Sequence, residues 1–256
     1  MIAVTTGMGA ALAGAFGLLL GSFLNVVAHR LPRGESLVTP ASRCPGCDTP
    51  IKPYDNVPVL SWLLLGGRCR TCTAPIAWRY PLVELGTALL MALAVIVIGP
   101  NEQVWLGLGF VLLLIPVTLI DIDFRIIPNK LMILGTVVAL ALLALTRPGA
   151  LPEHLIAAVV AGGFLLVAAI AYPGGMGMGD VKLAFVMGLF LGREVGVAML
   201  AGLVAGSLVG VVIMARKGAK QGRKTAIPFG PFLALGGLTG LLVGAPVVDW
   251  YLRTFA

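Results

Sequence analysis

The sequence predicts an all-α polytopic membrane protein of about eight transmembrane helices, with a small cysteine-rich domain between the first and second helices. Of its 256 residues, 59% are hydrophobic and only 11% are charged, whereas a soluble domain carries about 25% charged residues. Apolar stretches close to the roughly 20 residues that cross a bilayer also recur along the whole chain. They lie at residues 6–28, 81–98, 104–120, 130–146, 155–172, 181–192, 195–214 and 229–247.

Two of these stretches differ from the others. The first has no basic region before it and runs on to a basic boundary, so it predicts a retained helix and not a removable signal peptide. The sixth, 181–192, is short. We expect it to be tilted, broken or buried within the bundle.

The basic residues predict the orientation of the chain. If loop 29–80 lies in the cytoplasm and the segments alternate from there, only Arg147, Arg193 and Arg253 of the 18 lysines and arginines fall outside. Cytoplasmic loops of membrane proteins collect Lys and Arg, so both termini are predicted to lie outside. The net charge of +7 is then explained by the basic residues of the cytoplasmic loops. The sequence shows no patch typical of nucleic-acid binding. The basic segment 215–224 is predicted to be a solvated cytoplasmic loop able to touch anionic lipid.

This topology divides the chain into three predicted parts. Residues 1–28 form the first transmembrane helix, 29–80 a cytoplasmic domain, and 81–256 a seven-helix membrane domain. The cytoplasmic part is too small to fold around apolar packing alone, so we expect a covalent or metal staple within it.

All four cysteines lie in that domain, as CPGC at Cys44 and Cys47 and CRTC at Cys69 and Cys72, with 21 residues between the pairs. Two residues between thiolates allow both sulfurs to take adjacent corners of a tetrahedron around zinc. Disulfides are the alternative, but structural disulfides are rare in the reducing cytosol. We therefore predict a zinc ion in a closed site of four cysteines, which is structural because no coordination position stays open for chemistry.

Acidic residues near the apolar stretches are few, and such groups are candidates for function because ionised carboxylates are costly in a membrane. Asp121 and Asp123 close the third stretch, and Asp180 follows the glycine run that contains Gly177 and Gly179. The predicted topology brings both places to the cytoplasmic side at the same depth. Two opposed aspartates that share a proton can activate water against a peptide bond, and the glycines let a peptide backbone approach closely. On a helix, Asp121 and Asp123 diverge by about 200°, so only one of them is expected to face Asp180.

Other interpretations stay open at this point. Asp180 is equally placed to be the N-cap of the following helix. Asp121 and Asp123 could simply mark the boundary of a helix at the membrane interface. A proton-coupled transporter uses membrane carboxylates as well, and an assembly factor with a zinc domain needs no catalysis. The two histidines, His29 and His154, fall on opposite sides of the membrane, so a Ser/His or Cys/His centre is difficult to build.

The ordered set of motifs along the chain resembles the type IV prepilin peptidases, membrane aspartyl proteases of the Gly-x-Gly-Asp class. The motifs are GSFLNVVAHRLP, CPGC, YDNVPVLSWLLLGGRC, CRTC, WRYPLVELGTALL, DIDFRIIPN, GMGMGDVKL and IPFGPFLALGG. In that family the first catalytic aspartate stands seven residues before the proline of IPN, which is Asp121 when counted from Pro128. The second ends Gly-x-Gly-Asp, which is Asp180.

The resemblance implies an enzyme of the bacterial inner membrane with its active site at the cytoplasmic face. Family members cleave prepilins and pseudopilins after a glycine, and many then N-methylate the new terminus with S-adenosylmethionine. No Rossmann fingerprint is present, and Glu84, within RYPLVEL, is a cofactor-binding candidate only through the family-like motif. A peptidase that cleaves without methylating is the alternative.

Overall fold

The computed structural model describes residues 2–172, 175–218 and 227–255. These residues form helices, turns and two isolated β-bridges, with no β-strand among them. The predicted all-helical class is therefore confirmed. The helices are α1 (Ile2–Arg30), α2 (Leu60–Leu64), α3 (Arg79–Ile98), α4 (Gln103–Phe124), α5 (Asn129–Thr146), α6 (Leu151–Ala171), α7 (Met178–Leu191), α8 (Val195–Lys217) and α9 (Gly230–Phe255).

The eight predicted apolar stretches correspond to the eight long helices in the described ranges, which are α1 and α3–α9. By length and composition, the part of the chain that the structure describes has seven spans able to cross a membrane. One of them, Met178–Lys217, is 40 residues long and contains both α7 and α8, which meet at the 3₁₀ turn Gly192–Glu194. The short sixth stretch is α7, and most of its side chains are buried, in line with the expectation of a helix enclosed by the bundle.

Two compact units make up the chain, Met1–Pro100 and Asn101–Ala256. In the first unit α1 packs along α3. Their backbones approach closely where α1 carries glycine: a Cβ on Gly17 would lie 2.6 Å from the Ala88 Cα, and one on Gly21 would lie 2.8 Å from the Glu84 Cα. Small residues of this kind are typical of helix contacts in membranes.

The second unit contains α4–α9, with α6 packed on α7 and α8 on α9. The sequence repeats glycine every four residues on α8 and α9, and this pattern predicts close-packed faces. A Cβ on Gly202 would lie 2.9 Å from the Phe232 carbonyl oxygen, and one on Gly236 would collide with the Ala198 carbonyl oxygen. The prediction is confirmed for these glycines, whereas Gly210 at the end of the α8 series faces open space.

Two sequence features lie partly outside the described residues. The basic segment 215–224 is described only as far as residue 218, and the glycine run is described only from residue 175 onward. Pro116, in contrast, lies inside α4, which continues unbroken to Phe124.

Gly188 gives a direct test of the helix packing in the second unit. A Cβ there would collide with the backbone of Ala158, where α7 crosses α6. We expect Gly188→Ala to destabilise the protein by about 1–3 kcal/mol through overpacking, measured by thermal unfolding in detergent. Gly196→Ala is the control because its Cβ would enter open space on α8, where alanine is favoured over glycine by about 1 kcal/mol. Equal effects of the two substitutions would contradict the close crossing.

Candidate active site

Asp121 lies in the last turn of α4 and is 5% exposed. Its Oδ2 accepts a hydrogen bond of 2.8 Å from the backbone N–H of Gly230, the first residue of α9. A Cβ on Gly230 would lie 2.8 Å from the same oxygen, so any larger residue at this position would displace the Asp121 carboxylate. Asp123 is exposed, in line with the expectation that only one of the two aspartates faces inward.

Asp180 is the third residue of α7 and is also buried. It is not the N-cap, because Gly177 occupies that position. The backbone N–H of Gly177 donates to Asp180 Oδ2 over 3.2 Å, so the carboxylate helps to satisfy the first turn of the helix. Gly179 lets this turn approach the α4–α5 loop, since a Cβ there would lie 3.0 Å from the Ile127 Cβ.

Both aspartates line one pocket of about 250 Å³. The rest of its lining comes from the α4–α5 loop and from the turn that starts α7, namely Arg125, Ile126, Ile127, Asn129, Gly177 and Gly179. At its edge, Lys182 Nζ donates to Asn129 Oδ1 over 2.8 Å. Each carboxylate accepts one backbone N–H and keeps further lone pairs, which can bind water or a substrate carbonyl. The pocket thus offers two carboxyl groups to one small ligand.

Sequence reasoning did not assign three of the groups around these aspartates. Gly230 follows Pro228 and Phe229 within a motif that carried only the family resemblance, and its contact with Asp121 joins residues 109 positions apart. Arg125 adopts a left-handed conformation that ends α4, and Asn129 begins α5. Of these three groups, only Asn129 had a local signal in the sequence. It follows the proline of IPN, and a helix often starts at or just after such a proline.

The four cysteines form a second cluster, in the first unit. Their sulfur atoms all lie within 4.8 Å of one another, and none is in a disulfide. The two CxxC turns have matching backbones: Cys44 N–H donates to the Thr49 carbonyl over 3.0 Å, and Cys69 N–H donates to the Ala74 carbonyl over 2.9 Å. This pair of knuckles could hold a metal ion with four sulfur ligands.

The thiols of this cluster influence one another. Backbone N–H groups of Cys72 and Thr71 lower the pKa of Cys69 to about 6. A backbone hydrogen bond at Ala74 lowers the pKa of Cys72. The other three thiols and burial outweigh it and raise this pKa to about 12. Four neighbouring sulfurs do not all ionise until a cation neutralises them, so metal binding would release protons.

An ion pair fixes the segment between the knuckles. Arg70, inside the second knuckle, donates through Nε and Nη2 to both oxygens of Asp55, with a shortest distance of 2.6 Å. The hydrogen bond from Arg70 lowers the pKa of Asp55. This paired geometry is the strong form of an Arg–carboxylate contact, and it connects the Pro53–Asp55 turn to the cysteine cluster.

Glu84 is buried in α3, and its Oε2 accepts a 2.7 Å hydrogen bond from the backbone N–H of Val59. Val59 has a φ of 62°, which is strained for a β-branched residue. The carboxylate therefore holds a strained turn in the cysteine-rich segment against α3.

This contact predicts that Glu84→Ala destabilises the protein by about 1–3 kcal/mol, because the Val59 N–H loses its acceptor. Glu84→Gln keeps an acceptor oxygen and should cost less. Thermal unfolding combined with hydrogen exchange at residues 57–61 measures both effects, with the exposed Glu35→Gln as the control. Unchanged unfolding together with a specific loss of methyl transfer would instead favour the cofactor-binding hypothesis for Glu84.

Comparison with known proteins gives matches over most of the chain. The family model described as "Bacterial Peptidase A24 N-terminal domain" matches residues 15–98, and the one described as "Type IV leader peptidase family" matches residues 108–215. The chain is 34% identical to the "Prepilin leader peptidase/N-methyltransferase" of Aeromonas hydrophila, over 94% of the chain and 92% of the relative. The proteins of the same name from Bacillus subtilis and Pseudomonas aeruginosa are each 34% identical over 93% of the chain, covering 96% and 91% of those relatives. No solved structure matches the chain.

Proposed function

Since the chain belongs to the type IV leader peptidase family, we propose that it removes the leader peptide of prepilins and pseudopilins, with Asp121 and Asp180 as the catalytic pair. The observation that carries this assignment is the pocket itself. Two buried carboxylates, brought by α4 and α7 from positions 59 residues apart in the sequence, line the same small cavity. Cleavage after a glycine, and N-methylation of the new terminus, complete the proposed activity.

The proposed reaction needs one of the two aspartates ionised and the other protonated. The ionised carboxylate takes a proton from water while the water oxygen bonds to the scissile carbonyl carbon, and the protonated one donates its proton to the carbonyl oxygen. In the second step the C–N bond breaks and the departing nitrogen receives a proton from the pair. The products are a leader with a free carboxylate and a mature chain with a free amine.

Gly230 and Gly177 act in this scheme as positioning residues. Their N–H groups hold one oxygen of each carboxylate and leave the other oxygen of each to water and the substrate. Because Asp121 is fixed by the first residue of one helix and Asp180 by the N-cap of another, the carboxyl groups are oriented before substrate arrives. Such preorganisation lowers the cost of reaching the transition state.

Zinc is the metal that we propose for the cysteine cluster. Cys44, Cys47, Cys69 and Cys72 would supply all four ligands of a tetrahedral site, and their sulfur separations within 4.8 Å suit that arrangement. A site with four protein ligands has no open position for water, so its contribution is to fold the domain. It has no part in the hydrolytic step.

For methylation, S-adenosylmethionine would supply an electrophilic methyl group to the amine that cleavage exposes. Two pockets of the described residues do not fit it: one is the small pocket that holds both aspartates, and the other is almost wholly apolar. Neither offers the set of polar groups that a charged nucleoside ligand needs. We therefore assign no residue to cofactor binding and derive no methylation step.

We place the chain in the bacterial inner membrane as a multi-pass protein, since its described residues contain seven candidate spans. The distribution of lysine and arginine supports termini outside and an active site on the cytoplasmic side. Substrates would then meet the aspartates at the face where their leaders are made.

The test is cleavage of a prepilin by the purified full-length protein in lipid vesicles. We expect mass spectrometry to find one cut after a glycine and, with S-adenosylmethionine present, one added methyl group at the new terminus. An unmodified amine would restrict the chain to cleavage. If the prepilin stays intact while the vesicles show proton flux that depends on Asp121 and Asp180, the transporter interpretation replaces this one.

A further inference from the structure

The segment between the two cysteine knuckles contains a short apolar surface, at residues 57–65 of the first compact unit. It is centred on α2, where Leu60, Leu63 and Leu64 are 52%, 61% and 78% exposed. Side chains of this size, exposed together, mark a surface that meets a partner or a membrane. These residues belong to the predicted cytoplasmic domain, so the leucines need a covering that the domain itself does not provide.

The polar groups of this segment face inward and have partners. Ser61 is buried, and its Oγ accepts the Val57 N–H over 2.9 Å and donates to the Tyr54 carbonyl over 3.0 Å. The Trp62 Nε1–H donates to the Ile76 carbonyl over 3.1 Å. Several backbone N–H groups of α2 bond to carbonyls of the same segment. Apolar side chains outward and satisfied polar groups inward are what a segment needs to lie in lipid.

The contact with Glu84 sets the depth of this segment. The Glu84 carboxylate accepts the Val59 N–H over 2.7 Å, and Glu84 is the sixth residue of α3. Gly21 of α1 lies at the same level, because a Cβ there would approach the Glu84 Cα to 2.8 Å. From Gly21 to Arg30, the basic residue that ends α1, the helix rises about 13 Å. A glutamate side chain is much shorter than this rise, so Val59 lies on the membrane side of that basic boundary.

The helix α2 also borders the exposed face of α3. The rings of Trp62 and Trp78 have centroids 4.0 Å apart, and Trp78 is the N-cap of α3. After Trp78, the exposed residues Leu82, Leu85 and Leu89 follow at the spacing of one helix face. Because α3 is long and apolar enough to cross a membrane, this face meets lipid. The tryptophan pair therefore places α2 beside a lipid-facing surface, at the level where aromatic side chains collect.

We propose that residues 57–65 form a re-entrant segment whose leucines insert into the cytoplasmic leaflet of the membrane. The cysteine-rich domain is then held at the bilayer by lipid contacts as well as by α1 and α3. The proposal requires that α1 and α3 span the membrane, and it is independent of the peptidase function. It also explains why a buried carboxylate accepts the Val59 N–H, since a backbone donor at this depth finds no water.

Depth and continuity favour lipid over a protein partner. The segment lies on the membrane side of Arg30 and adjoins the exposed face of a spanning helix, whereas a docking site for a cytoplasmic protein would lie beyond that boundary. The charge pattern agrees with this assignment. Arg68 is exposed and follows Leu65 by three residues, where it can meet the anionic headgroups of the cytoplasmic leaflet.

Photocrosslinking to lipid tests the proposal directly. Benzoylphenylalanine replaces Leu64 in the full-length protein, which is reconstituted without prepilin in vesicles of phosphatidylethanolamine and phosphatidylglycerol. Leu82 is the lipid-facing reference position. Val38, which is 83% exposed but follows the basic end of α1, is the control position expected in water. We expect lipid adducts at Leu64 within about twofold of the yield at Leu82, because both positions contact acyl chains, and few at Val38. Mass spectrometry of the protein measures the yields.

Three results would overturn the proposal. They are a lipid yield at Leu64 no higher than at Val38, adducts to a second copy of the chain in place of lipid, and adducts to another part of the same chain in place of lipid. The first would show no insertion beyond ordinary surface contact. The other two would show that protein covers the leucines.

A charged substitution gives a second measurement. Leu64→Asp places a carboxylate among lipid chains, and the cost of an ion there should lift the segment out of the membrane. We expect hydrogen exchange at residues 57–65 to become about tenfold faster in vesicles, and Val38→Asp to leave it unchanged. Exchange at the wild-type rate in Leu64→Asp would contradict the proposal. If this variant does not fold, the crosslinking result decides, because benzoylphenylalanine keeps position 64 apolar.

Discussion

Asp121→Asn and Asp180→Asn are each expected to lower prepilin cleavage by about a thousandfold or more. An amide has nearly the same shape as the carboxylate and still accepts the backbone N–H of Gly230 or Gly177 through its oxygen. It neither takes a proton from water nor donates one to the substrate carbonyl, and proton transfer of this kind contributes about 10²–10⁴ in rate. Initial rates of leader release from prepilin in vesicles measure the loss.

The matched control is Asp123→Asn, two residues from Asp121 on the same helix but exposed. It should retain nearly full activity, because its side chain does not line the pocket. Thermal unfolding of all three variants separates a catalytic loss from misfolding. Folded Asp121→Asn or Asp180→Asn protein that cleaves at the wild-type rate would remove that residue from the catalytic pair.

Metal removal is expected to have the second large effect, on the cysteine-rich domain. We predict about one zinc ion per chain in purified protein and none in Cys44→Ser/Cys69→Ser, which loses one ligand from each knuckle. Because a segment this small depends on its metal to fold, the variant should lose protection from proteases across residues 43–75. Metal analysis and limited proteolysis give the two readouts.

Thr71→Ser is the control for this prediction. Thr71 lies within the second knuckle and donates its backbone N–H to Cys69 Sγ. Serine keeps this N–H, so zinc content should not change. Wild-type protein without zinc, whose protease resistance is instead abolished by a reducing agent, would favour the disulfide interpretation.

Patterns that depend on local composition predicted most of the fold. Apolar stretches located all eight long helices of the described chain, with ends that shift by a few residues. The last helix extends to Phe255, beyond the predicted end at 247. The prediction ended early because Asp249 and Arg253 lower the hydrophobicity of this segment, although its backbone stays helical. The start of α7 at Met178 moved Asp180 from a predicted boundary into the first helical turn.

Long-range packing is where the sequence was insufficient. That Asp121 and Asp180 line one pocket was expected from topology, but nothing in the sequence around Asp121 indicates that Gly230 would hold it. Likewise, the Glu84–Val59 hydrogen bond depends on how the segment after Cys47 folds back onto α3. Such contacts join residues far apart in the chain, and hydrophobic periodicity carries no information about them.

The length of α7 sets the depth at which the proposed chemistry takes place. With 14 residues, the helix is about 21 Å long, whereas the hydrocarbon core of a bilayer is about 30 Å thick. Its far end runs into the charged turn that contains Arg193, whose guanidinium pairs with Asp249, and such charges belong at the aqueous boundary. With α7 along the bilayer normal, Asp180 would stop short of the opposite boundary by more than about 10 Å. In the proposed reaction the scissile bond would therefore descend below the level of the lipid headgroups, and the hydrolytic water would follow it down.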